Sequence, residues 1–95
     1  MADPVIVSCT EDEWTLVVEN KTTGWVYLQG EKQIPDEAYF EFMDTGGAAP
    51  SINPGAPGSK AVIMRQQELP FNRSEAVDIY LWPNRENITV LVDAI

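Results

Sequence analysis

The chain of 95 residues contains no histidine and a single cysteine, Cys9. Without an imidazole, the Ser-His-Asp and Cys-His arrangements, the common zinc sites and the usual proton shuttle at neutral pH are excluded. One thiol forms no internal disulfide, so packing must hold the domain together. With no base to activate it, Cys9 reads as a small apolar side chain continuing the Val5-Ile6-Val7 stretch rather than as a nucleophile. Cationic residues are also scarce: six Lys and Arg against fifteen Asp and Glu give a formal charge of −9. Such a surface repels phosphate backbones and anionic lipid, so neither nucleic acid nor a membrane is an expected partner, and the acidity serves solubility. No run reaches the roughly 20 apolar residues that cross a bilayer. Met1-Ala2-Asp3-Pro4 lacks the basic start of a secretion signal, and synthesis in a cytoplasm is the expectation.

A long amphipathic helix is missing as well. In its place stand short β-branched and aromatic runs, cut by Gly, Pro, Asn and Asp: Trp14 to Glu19, Trp25 to Gln29, Tyr39 to Met43, Ala61 to Arg65, Val77 to Trp82 and Ile88 to Val92. Each fits the strand template. The length suits one domain, and 44% hydrophobic residues suffice for a two-layer core. The expected fold is all-β: a small antiparallel β-sandwich of six to eight strands, jelly-roll or immunoglobulin-like, spanning residues 1–95.

Residues 1–10 read as an N-terminal arm or edge strand, with Val5, Ile6 and Val7 as its apolar part; pairing with a neighbouring subunit is slightly favoured over pairing within its own sandwich. Asn20 to Gly24 suits a hairpin loop between the strands ending at Glu19 and starting at Trp25. Pro83 to Asn87 suits a second hairpin. Gly30 to Glu37 is a polar connection, and Pro70 argues against a helix through Gln66 to Ala76. Between Asp44 and Lys60, three Pro and four Gly preclude regular structure, leaving an ordered interaction loop or a disordered surface loop.

Catalysis would have to rest on carboxylates, and Glu37, Glu41 and Asp44 form the one cluster near a strand and the glycine-rich loop. A solvated strand face is the reading preferred for them over catalysis. Glu11-Asp12-Glu13 and Asp36-Glu37 offer hard oxygen ligands for calcium without the EF-hand spacing, and the glycines lack the lysine of a phosphate loop. No metal, cofactor or catalytic residue is therefore expected. Three Asn-X-Ser/Thr sequons, at Asn20, Asn72 and Asn87, read as turn chemistry. Aromatic residues in strands are mostly core, yet Tyr27, Tyr80 and Trp82 on alternate faces leave some for a binding surface, together with Ile52 in the long loop.

The opening pattern Val17 to Leu28, the Ile34-Pro35 approach to an aromatic strand, and the closing run from Asp78-Ile79-Tyr80-Leu81-Trp82 to Ile88-Thr89-Val90-Leu91-Val92 together resemble small β-sandwich virion proteins of tailed bacteriophages, of the capsid decoration or cement type. The resemblance covers most of Trp14 to Ala94 and rests on motifs shared by many small sandwiches. It implies a non-enzymatic structural protein, made in the host cytoplasm and located on the capsid surface of the virion. Its partners would be the major capsid protein or another virion protein and further copies of itself. The alternative is a receptor- or carbohydrate-binding module of a tail fibre. Partner contacts are expected from Val5, Ile6, Val7, Ile52, Tyr27, Tyr80 and Trp82.

Overall fold

Two strands are far longer than the sequence rhythm suggests, and their bending produces the fold. The computed structural model describes residues 4–29, 38–84 and 86–95, in which there are six strands and no helix. They are β1 (Val5–Cys9), β2 (Thr15–Gln29), β3 (Ala38–Asp44), β4 (Val62–Ile63), β5 (Glu68–Pro83) and β6 (Ile88–Ala94). All pair antiparallel in one sheet of order β1-β6-β2-β5-β3-β4.

β2 and β5 run alongside each other and change their other neighbour midway. From Gly24 onward β2 also pairs with β6, whereas its first half has β5 alone; the second half of β5 pairs with β3, and its first half has β2 alone. Between these halves the register slips three times, after Leu16, Val18 and Lys21. Asn20 adopts φ 57° in this stretch, a conformation that Asn tolerates better than most residues. Bulges of this kind bend a strand and increase its twist. The β2-β5 ribbon thereby carries the sheet from one layer to another. β1, β6, the second half of β2 and the first half of β5 form the first layer; the first half of β2, the second half of β5, β3 and β4 form the second. The shortest dimension, 19 Å against 33 and 31 Å, fits two sheets packed about 10 Å apart.

One core lies between the layers. Val26, Leu28, Val90 and Val92 from the first layer and Val18, Ile79 and Leu81 from the second belong to a single buried cluster. The period-two alternation of these strands turns the apolar face inward. Fully burying one such side chain stabilises the fold by roughly 1.5–3 kcal/mol. Both Val17 and Val18 are buried, because the bulge between Leu16 and Val18 interrupts the alternation there.

The all-β antiparallel expectation holds, with the two layers belonging to one continuous sheet. Both expected hairpins are overturned. Asn20 to Gly24 does not reverse the chain; it lies within β2, and what requires glycine at position 24 is a close approach to β6. A β carbon there would lie 2.6 Å from Ala94 Cα and closer still to the Asp93 carbonyl oxygen. Pro83 to Asn87 does not join neighbouring strands either, since β6 pairs with β1 and β2, and β5 with β2 and β3. The chain crosses between layers there, so that Ile79 and Leu81 face Val90 and Val92 across the core. The crossing is tied to the one between β1 and β2: Asp12 N donates to Pro83 O at 3.0 Å, and Glu11 N to Asn87 Oδ1 at 2.8 Å. The N-terminal segment pairs within its own chain, all of Val5 to Cys9 against β6, which corrects the favoured intermolecular pairing. The expected connection Gly30 to Glu37, with Ile34, Pro35, Asp36 and Glu37, lies outside the described residues.

Candidate partner-docking surface

The outer faces of the two layers differ in what covers them. On the second layer, Asp78, Tyr80 and Trp82 alternate with the inward Ile79 and Leu81 and point outward from β5. The Gly/Pro-rich segment folds against this face as a series of turns, with Gly47 N donating to Asp44 O, Ala56 N to Asn53 O and Ser59 N to Ala56 O. Two contacts fasten it: Gly46 N donates to Asp78 Oδ2 at 3.2 Å, and Trp14 Nε1 to Ile52 O at 3.4 Å. Of the two readings of this segment, the ordered loop is the one observed. Tyr80 is left 8% exposed and Asp78 3%. Trp82 is half-buried and meets Trp14 edge-on, ring centroids 5.4 Å apart.

Among the described residues no loop covers the outer face of the first layer. Cross-strand register places Ile6 of β1, Leu91 of β6 and Tyr27 of β2 in one row, continued by Glu68 of β5. Ile6 is 64% exposed and Tyr27 36%, with Leu91 half-buried between them. A polar row, Ser8, Thr89 and Gln29, borders it on one side; Asp93, Trp25 and Pro70 border it on the other. An aliphatic and aromatic strip that extends to Trp25 and Pro70 and is edged by Ser8, Thr89, Gln29 and Asp93 has the chemistry of an interface centre and its rim.

Along β1 the inward side chains lose cover progressively: Cys9 is 1% exposed, Val7 half-buried and Val5 58% exposed. Val5 stands at a groove of about 420 Å³ lined by Val17, Val92 and Ala94 and bordered by Glu19 and Lys21. At the covered end, burial pushes the Cys9 thiol up to about 11, and a hydrogen bond with the Thr15 side chain pulls it partly back. That makes Cys9 a core side chain, protonated at neutral pH.

Three of the seven residues expected to touch a partner thus lie exposed on the first layer: Val5, Ile6 and Tyr27. Val7 points toward the core. Ile52 and Trp82 are on the other layer beside Trp14, and Tyr80 is buried, so the structure does not join them to the first group. Leu91 and Asp78 were missed. Leu91 was findable, since it alternates with the core residues Val90 and Val92; nothing in the strand pattern marks Asp78 as different from a solvated carboxylate. Glu41 and Asp44 lie at the middle and end of β3, and Glu37 is outside the described residues. Among the described residues no group of three Cys, Asp or Glu side chains could hold a metal ion. Comparison with known protein families, curated proteins and solved structures finds no match.

Proposed function

We propose that this chain is a non-catalytic virion structural protein of the capsid decoration kind, which seats the open face of its first layer on the capsid exterior and stabilises contacts between capsid subunits. The observation that supports this reading is the row of exposed Ile6 and Tyr27 with half-buried Leu91 between them, on a face that no described loop covers, while the opposite face carries a fastened loop. Contiguous exposed apolar surface on a small domain is the mark of a docking site. Shape and apolar contact carry the affinity. Carboxylates at the rim, Glu68 and Asp93 among them, match basic residues of the shell and act mainly on association rate. Salt therefore slows association without releasing the complex.

The test is cosedimentation of the purified chain with capsid shells assembled from the major capsid protein of the same genome. Binding that Tyr27→Ala weakens and Ile52→Ala leaves intact supports the reading, because Ile52 lies on the other layer. A chain that stays in the supernatant, or is absent from purified virions, overturns it. The tail-fibre alternative draws on one feature, a hollow of about 250 Å³ where Trp25 lies beside Thr23 and Asp93, a pairing of ring and hydroxyl or carboxylate that suits a sugar. Glycans that compete with shell binding, or change Trp fluorescence where shells do not bind, would favour it.

A further inference from the structure

Five strand edges lack a strand partner among the described residues: β1, the first half of β2, the first half of β5, the end of β3 from Glu41 to Asp44, and β4. Free edges template pairing with other chains, and proteins blunt them with shortness, charge, proline or bulges. Four of these five are blunted, the free end of β3 by the charges of Glu41 and Asp44. β4 has two residues. The free part of β5 contains Glu68 and Pro70, and proline cannot donate to a ladder. The free part of β2 is broken by register slips and by Asn20 at φ 57°, with Glu19 and Lys21 on either side. β1 has none of these devices. Val5-Ile6-Val7-Ser8-Cys9 carries no charge and no proline, and it pairs in unbroken register with β6 over its whole length.

We infer that β1 pairs antiparallel with β1 of a second copy of this chain, about a two-fold axis at Ile6. The strand is complementary to itself in this arrangement: Val5 faces the second copy's Val7, and Ile6 faces its counterpart. A contact of this isologous kind closes on itself as a dimer. Charge decides for a second copy over a foreign strand. The chain is acidic, at −9, and a partner chosen by charge would be basic; β1 holds none of the fifteen carboxylates to meet it. Two acidic copies, conversely, approach with least repulsion along the edge that lacks them. Pairing there joins the open faces of both copies, so that Tyr27, Leu91 and Ile6 of each form one apolar strip across the axis.

The test uses the purified chain alone and so is independent of the capsid reading. Sedimentation of the full chain up to about 1 mM should show the mass rising from 10.6 kDa toward twice that value. Added salt should strengthen the association by screening like charge. Ile6→Lys sets two cations opposite each other at the axis and should weaken association by about tenfold or more, at an exposed position that leaves the monomer folded. Ile6→Cys gives a second, independent readout: mild oxidation should trap a disulfide-linked dimer while buried Cys9 stays unreactive. A chain monomeric throughout overturns the inference. So does a dimer indifferent to Ile6→Lys and not trapped by Ile6→Cys.

Discussion

Asp78 on β5 holds Asn20 on β2 at the point where the sheet changes layers: Asn20 N donates to Asp78 Oδ1 at 2.9 Å. The other carboxylate oxygen accepts from Gly46 N at the start of the long loop. A buried acid with both oxygens engaged by backbone donors ties the bulge of β2, the end of β3 and the loop together. Asp78→Ala would remove the acceptor of both N–H groups and should destabilise the fold by roughly 1–3 kcal/mol in urea unfolding. Asp78→Asn should recover part of that, since the amide oxygen still accepts while its NH₂ faces a second donor. Glu75→Ala, on exposed surface, should change stability by less than about 0.5 kcal/mol. Equal effects from Asp78→Ala and Glu75→Ala would remove Asp78 from this role.

At Gly24, β2 passes close against the backbone of β6. An added β carbon would collide with backbone atoms of Asp93 and Ala94, and backbone cannot rotate away as a flexible side chain can. Gly24→Ala should therefore cost about 1–3 kcal/mol, the range seen when a tight contact is overpacked. Faster amide exchange should appear in residues 24–29 and 89–94, whose pairing depends on that approach. Wild-type stability in Gly24→Ala would contradict the close contact.

Cys9 predicts a pH dependence with a defined sign. In the unfolded chain its thiol ionises near 9.0, and in the folded chain at about 11. The unfolded state therefore loses its proton first as pH rises, and the stabilising contribution, complete below pH 9, is lost through pH 11. The stability of the wild type relative to Cys9→Ala should fall across that window. A constant difference would place the thiol in water. Near neutral pH, thiol reagents should modify the native protein only at its rate of opening.

Strand content and inward faces were legible because they depend on local alternation: Val26 and Leu28, Ile79 and Leu81, Val90 and Val92 each bury as the period of two demands. The connections were not. Asn20 and Gly24 carry hairpin chemistry, and the same residues serve a bulge and a close approach inside one bent strand; only the partner strand distinguishes these uses. Pro83 to Asn87 misleads for the same reason, since a turn-rich segment reverses a chain within a layer or crosses between layers equally well. At the surface, exposure of Val5 and Ile6 followed from the edge-strand reading of residues 1–10, and that of Tyr27 from aromatics on alternate strand faces. The burial of Tyr80 did not, because a loop distant in sequence covers it.

The most direct test of docking through the first layer is amide hydrogen exchange of the chain free and bound to capsid shells. Docking through this layer should slow exchange in β1, in residues 25–29 of β2 and in residues 89–93 of β6, with the 45–60 loop unchanged. Protection confined to that loop and to Trp14 and Trp82, with the first layer exchanging as in the free protein, would contradict it.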